Sequence, residues 1–446
     1  MRRQFAKKDS FENHLIMGVK WDRTATSTLE RTNQAKGRIA GVGVDDQIVR
    51  NDFDNMPIFG EMHDVTDGYG NEFVRISKFY IKKTKTADER TWKISKTQHE
   101  GFYLPKVFWD FENHKELPYF DFGKGKATID ASSKMESKSG KYPLTEKNIV
   151  EMRNYAENNN ANGVSGYQQL DIHGYDVIKT LMYIEFATLD MQSVMRGFLD
   201  GNYSTSDTAL ISETSVNRIV VDNAVADKYR VKQTISVGSS RGNNSVFYGR
   251  TITDIQVDTP EVGQSAIVFD GDPVDIAIDD VIYNSGWKNG FSAEITASSG
   301  SPVSNSNGKF PCMYRGIESP YGDMWQFVDG VNINDWQAWI TSDAKDYASN
   351  VFSAPYEQLN YVNHNGNGYV EEMGFDEGKP FASFPISTGS SSYYRDYYYQ
   401  NSSQRIALVD GAWYFGSLGG PSCWGLNFSS AAASLSLGAR LLKKAS

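Results

Sequence analysis

The chain has 446 residues, enough for about two or three domains, and its 39% hydrophobic and 22% charged residues allow sizeable cores. A formal net charge of −10 argues against a nucleic-acid partner, which would need clustered Lys and Arg. No run approaches the ~18 consecutive apolar residues of a membrane span, so no membrane insertion is expected.

Residues 1–45 are mixed and polar, with "TATSTLERTNQAKGR" in their middle, and predict an attachment arm without a core of its own. The basic start "MRRQFAKK" is not followed by an apolar run of signal-peptide length, so synthesis in a cytoplasm without ordinary secretory export is expected. "FVRISKFYIKKTK" (73–85) alternates apolar and polar residues, which predicts a half-buried strand. Two helices follow. "LTEKNIVEMRNYAENN" starts with Thr145 as candidate N-cap, and "DIHGYDVIKTLMYIEFAT" starts with Asp171 and puts Val177, Ile178, Leu181, Met182 and Ile184 on one face. His173, in the first turn of the second helix, is expected to have a surface or capping role.

Between 207 and 284, runs such as "NRIVVDN", "VFYGRTITDIQVD" and "VDIAIDDVIYN" are short, β-rich and separated by turn residues. They predict a small β-barrel or sandwich inserted into a larger domain, or else a middle domain. From 286 onward regular periodicity is weak. "SSGSPVSNSNG" is a loop by composition, and Trp and Gly recur irregularly through "PCMYRGIESPYGDMWQFVDGVNIND" and "DGAWYFGSLGGPSCWGLNFSSAAASLSLGARLL". Long ordered loops pinned by aromatic rings are expected there.

No cofactor or metal is expected. The six His are scattered without an HxxxH or HExxH pair, and Cys312 and Cys423 lie 111 positions apart outside any ligand spacing. Two free thiols are expected, although spacing alone leaves a disulfide open. "DGVNIND" offers Asp329, Asn332, Asn334 and Asp335 as oxygen ligands for calcium, but without EF-hand spacing it reads as a solvated turn.

The order "FVRISKFYIKK", an amphipathic helix, "YRGIESPYGDMWQFVDG", "RIALVDGAW" and "LGARLL" resembles the C-type-lectin-like fold of the formylglycine-generating-enzyme branch. More closely, it resembles phage and prophage minor structural proteins, the tail-tip or tail-fibre receptor-binding proteins of phages infecting Gram-positive bacteria. The last block is also similar to the variable region of proteins diversified by retroelements, with its "GGSW…G…GARLL" frame. The resemblance covers most of residues 46–446. It implies an α+β, C-type-lectin-like domain, first part 46–206 and second part 285–446, interrupted by the all-β insert 207–284.

On that frame Trp413, Gly416, Gly420, Trp424, Leu426, Asn427, Gly438 and Arg440 hold the fold. Tyr414, Phe415, Leu418, Pro421, Cys423, Gly425 and Phe428 fall where such proteins present ligand contacts. Tyr397 and Tyr398 join them, from "SSYYRDYYYQN" (391–401), where at least half of the five tyrosines are expected to be buried with alternate rings inward. Aromatic faces stack on sugar C–H surfaces and anchor protein interfaces.

The resemblance further implies a homotrimer in the virion, attached to other tail proteins through its arm and binding a host cell-surface glycan or protein. The alternative is a structural tail or baseplate component whose lectin-like domain mediates assembly. An enzyme is not expected. Formylglycine generation would need two neighbouring reactive cysteines near the carboxyl end, where only Cys423 stands. Glycan hydrolysis would need a flanking carboxylate pair, and the sequence singles out none.

Glu185, in "LMYIEFAT", and Arg440, in "LGARLL", are charges in apolar company, and each needs a partner. Either they meet each other, or Arg440 reaches backbone carbonyls while Glu185 caps a neighbouring loop.

Overall fold

The structure, a computed structural model, describes residues 15–23, 26–43, 49–161, 163–291, 308–390 and 392–445. Strands make up 38% of it and helices 11%, in several antiparallel sheets, so the protein is mostly β rather than α+β.

The helix predicted after Asp171 forms as Ile172–Phe186. Asp171 Oδ1 accepts from the Gly174 N–H at 2.7 Å, satisfying one of the orphan donors of the first turn. The helix ends on Ala187, whose left-handed φ of 52° closes an N–H bond to the Tyr183 carbonyl. All fifteen residues are buried, not one face only, because the helix packs on both the amino-terminal sheet and the largest sheet. His173 is therefore buried, not at the surface. Its ring lies 3.9 Å from the Phe381 ring, and Nε2 is 2.9 Å from Ser342 Oγ. The earlier helix, Ile149–Glu157, is capped by Asn148 and not Thr145. The Asn148 side chain accepts from Val150 and Glu151 N–H while Glu151 accepts from the Asn148 N–H, a complete capping box.

The predicted strand at 73–85 is two strands that join different sheets. Tyr80–Lys85 lies at one edge of a four-stranded sheet ordered Glu30–Asn33, Ile16–Asp22, Glu89–Ser95, Tyr80–Lys85. Residues 16–33 thus supply two strands of the body, and Met17, Val19, Trp21 and Leu29 sit in its main core, which corrects the expectation of an arm at 1–45. Positions 1–14, 24–25 and 44–45 of that stretch lie outside the described residues, as does most of the loop predicted at 298–308.

The other strand, Glu72–Ser77, belongs to a five-stranded sheet ordered Tyr167–Gln169, Leu441–Lys444, Tyr119–Gly123, Glu72–Ser77, His63–Thr66. The carboxyl-terminal strand is interior to this sheet, which ties 46–206 to 285–446. Arg440, just before it, is fully buried and donates to the carbonyls of Gly123 (2.8 Å), Lys124 (3.0 Å), Glu318 and Ser319 (both 2.9 Å), and to Gln326 Oε1 (2.8 Å). Glu185 instead meets Arg315, Tyr314 and Asn51. The two charges are not partners, and of the two alternatives Arg440 takes the backbone carbonyls.

The largest sheet runs Glu357–Val362, Gln337–Ile340, Trp325–Asn334, Gln404–Asp410, Gly420–Leu426, Tyr397–Gln400, Gly368–Met373, Pro385–Gly389, with Leu437–Gly438 parallel to Trp325–Asn334. Weak periodicity from 286 on thus conceals strands, not loops alone. In Trp325–Asn334 all but the last residue are buried, so the strand shows no apolar–polar alternation. Gly330, at φ 78°, sits where the pairing with Gln404–Asp410 shifts register, and a Cβ there would meet the Thr341 carbonyl at 2.7 Å.

Residues 207–284 hold their own five-stranded antiparallel sheet, Arg218–Asp222, Gln264–Phe269, Phe247–Val257, Thr234–Gly238, Val281–Asn284. A separate cluster that includes Ile219, Tyr229, Ile235, Ile252 and Ile267 fills it. Its two ends are adjacent, with the Ile282 N–H bonded to the Asp207 carbonyl at 2.9 Å.

Candidate functional site

Gly420–Leu426 lies between Gln404–Asp410 and Tyr397–Gln400, and all seven of its residues are buried. Pro421, Cys423 and Gly425 are consequently interior and cannot present contacts, a correction to the sequence expectation. Tyr175 Oη donates to the Pro421 carbonyl. Cys423 packs in a core cluster with Trp413 and Leu441. A Cβ on Gly425 would meet Trp325 and Leu408 side-chain carbons at 3.3 Å. Tyr398 is also buried, with its hydroxyl on the His364 carbonyl at 3.1 Å. The cause is common to all four. Gly420–Leu426 and its neighbour Tyr397–Gln400 are both interior to the sheet, where Tyr398 pairs with Trp424, and Tyr175 and Phe384 cover Trp424 with ring centroids at 5.2 and 4.7 Å.

The remaining candidates reach the surface. Tyr414 is 37% exposed, and Phe415, Leu418, Phe428 and Tyr397 are half-buried. Four of the five tyrosines between 393 and 399 divide evenly: Tyr394 and Tyr398 are buried, short of half of the five, and Tyr397 and Tyr399 are half-buried. The split of Tyr397 and Tyr399 from Tyr398 follows the two-residue period of a strand.

Two further tyrosines extend this face into a continuous row. Tyr369 and Tyr397 are cross-strand partners, with ring centroids 5.3 Å apart. The next steps are Tyr397 to Tyr399 at 4.6 Å, Tyr399 to Phe415 at 5.7 Å, Phe415 to Tyr414 at 5.1 Å, and Tyr414 stacked on Tyr203 at 4.4 Å. Sequence reasoning missed Tyr369, Tyr399 and Tyr203 as site residues. For Tyr399 the signal existed, since it stands two positions from Tyr397 on one strand. Nothing local marks Tyr203, which lies 211 positions before Tyr414 and reaches it only through the fold.

A polar cleft opens at each end of the row. Beside Tyr369 a cleft of about 420 Å³ is lined by Asp190, Gln192, Ser392, Arg395 and Ser417 among others. Arg395 Nε stands 3.8 Å from Asp190 Oδ2. Burial raises the Asp190 carboxyl above its ordinary value, against the pull of Arg395. Gln192 fixes the 416–419 turn by donating to the Gly419 carbonyl at 2.5 Å, and Tyr369 Oη is 3.4 Å from Ser417 Oγ. At the other end a cleft of about 640 Å³ includes Tyr203, Tyr414, Lys228 and Arg241, with the Arg241 guanidinium 4.7 Å from the Tyr203 ring.

Residues weighed for calcium have other partners, and Asp335 Oδ1 accepts from the Ser403 N–H at 2.7 Å. Asp329 is held by Arg153 at 2.6 Å, and the Asn332 amide donates to the Ala348 carbonyl at 2.9 Å. Among the described residues no group of three or more His, Cys, Asp or Glu is placed to hold a metal ion. Cys312 and Cys423 are free and buried, and burial pushes both thiols above their ordinary value, which disfavours the nucleophilic thiolate.

The chain has no significant match among protein-family models or curated proteins.

Proposed function

We propose that the chain is a receptor-binding protein of a phage tail tip or fibre, which recognises a host cell-surface ligand through the aromatic row and the cleft beside Tyr369. The observation that carries this reading is the row itself: six rings, none fully buried, running into a cleft of serine, Gln, Asp and Arg side chains. Ring faces cover the C–H surfaces of a sugar while the polar groups satisfy its hydroxyls. In a purely interior aromatic cluster the rings would be closed off from solvent.

A C-type-lectin-like domain split by the 207–284 insert belongs to the same proposal. It is supported by the way the last strand returns beside Tyr119–Gly123 and by the adjacency of the insert's ends. Location in the virion, assembly as a homotrimer and contact with other tail proteins are part of the proposal as well.

The test is retention of the purified chain on cell walls of Gram-positive hosts, intact or stripped of carbohydrate. Retention that disappears on stripping, and that Tyr369→Ala weakens at least ~10-fold without lowering the melting temperature, is the expected result. Retention that survives stripping and is lost on protease treatment would indicate a protein receptor. No retention on any wall would favour the assembly role.

A further inference from the structure

A second polar space lies away from the aromatic row, where Tyr80–Lys85 and Glu89–Ser95 meet the helix Ile172–Phe186 and the chain near 373–394. Its charged lining is Lys83, Arg90, Lys179 and Asp176, with the hydroxyl-bearing Tyr183, Ser383 and Tyr394 beside them. The space leaves about 20 Å³ for the centre of a water-sized sphere, room for one species of water or chloride size.

The charges around it do not balance. Lys83, Arg90 and Lys179 are each more than nine-tenths buried. One carboxylate, Asp176, faces them, and it is taken by Lys83 and by the Tyr103 hydroxyl at 3.3 Å. The next, Glu372, is shared between Arg23, Lys85 at 3.3 Å and Arg90 at 3.5 Å. Five cations therefore share two carboxylates. Of the other buried carboxyls near Lys179, Asp396 accepts from the Ser422 N–H at 2.6 Å, and burial raises it well above its ordinary value, toward the neutral form; Asp410 accepts from Gln326 Nε2 and is likewise raised by burial. Arg90 Nη2 donates to the Met373 carbonyl at 2.5 Å and Nη1 to Tyr394 Oη at 3.4 Å, while Nε is buried with no partner among the described residues. Lys179 Nζ has ring faces as neighbours, Tyr175 at 4.8 Å and Trp424 at 5.4 Å.

A cation taken out of water is costly until an anion or a full set of acceptors meets it. A protein of net charge −10 that concentrates positive charge around one small space provides for a counter-ion there. We propose that this space binds a small monovalent anion of chloride size, between Lys179 and Arg90.

The test compares melting of the full chain in sodium chloride, bromide and gluconate at equal ionic strength, together with ³⁵Cl NMR linewidths. The expected result is a higher midpoint in both halides, rising with halide as a single-site isotherm. Chloride-line broadening by the unaltered chain should be relieved by bromide, and both effects should be absent in Lys179→Met. Equal midpoints without broadening would overturn the proposal and leave water as the occupant, and halide effects that persist in Lys179→Met would overturn it as well. Should that variant not fold, bromide-soaked crystals of the unaltered protein decide: an anomalous peak beside Lys179 Nζ supports the site, and its absence refutes it.

Discussion

Glu185 and Arg315 form a two-point ion pair in the interior, with Arg315 Nη2 2.6 Å from Oε1 and Nε 2.7 Å from Oε2 of the carboxylate. Tyr314 Oη and Asn51 Nδ2 also donate to that carboxylate, at 2.9 and 2.8 Å. Burial lowers the Arg315 affinity for its proton, but the Glu185 carboxylate more than reverses this and the net shift is upward. Arg315→Met strands a buried carboxylate and should cost about 3–5 kcal/mol. The double variant Glu185→Gln, Arg315→Met should recover part of the loss. Urea unfolding of the two single variants and the double one gives the coupling, and strictly additive losses would contradict the pairing.

The row of rings separates scaffold from display. Trp413 is fully buried, and Trp413→Ala should cost about 3–5 kcal/mol. Phe415 is half-buried and packs edge-on to Trp325 at 5.1 Å, so Phe415→Ala should cost about 2 kcal/mol, more than a displayed residue would. Tyr414→Ala loses one stacked neighbour and should cost about 1 kcal/mol while weakening retention on cell walls. Thermal melts of the three variants check the ranking. A Tyr414 cost equal to that of Trp413 would show that Tyr414 belongs to the scaffold.

His173 gives the stability a pH dependence. Burial, followed by the charges of Lys444, Lys106 and Lys83, holds its imidazole well below the ordinary 6.5. The unfolded chain therefore takes up a proton near pH 6.5, whereas the folded chain does so only at lower pH. Stability from this group is complete above 6.5 and falls by about 1.4 kcal/mol per pH unit below it, until the folded value is reached. Urea midpoints between pH 5 and 8 should show the native protein losing ground to His173→Gln only below about 6.5. Parallel curves would mean that His173 takes up its proton as readily in the fold as in the unfolded chain.

The insert should be separable. The Ile282 N–H bonds the Asp207 carbonyl, so a few Gly and Ser residues can replace the chain between them without stretching the body. The shortened protein should melt cooperatively, and the excised module, with its own buried cluster, should show strand circular dichroism. An insoluble remainder together with an unfolded module would refute this division.

Local signals in the sequence settled the elements that depend on near neighbours. Asp171 as a cap, the helix it starts, the β-rich stretch at 207–284 and the opposed faces of Tyr397 and Tyr398 all follow from residues a few positions apart. The sequence also determined that the buried Glu185 and Arg440 would need partners, because a lone interior charge is too costly wherever the chain folds. Which partners they find, Arg315 and a ring of carbonyls, was decided by tertiary packing. Packing likewise drew residues 16–33 into the main core, hid Pro421, Cys423 and Gly425 inside a central strand, and set Tyr203 against Tyr414. A strand covered on both faces shows no alternation, and two rings far apart in sequence leave no local trace of their contact. Burial and contact of that kind arise from the three-dimensional order of the strands, which no short window of the sequence contains.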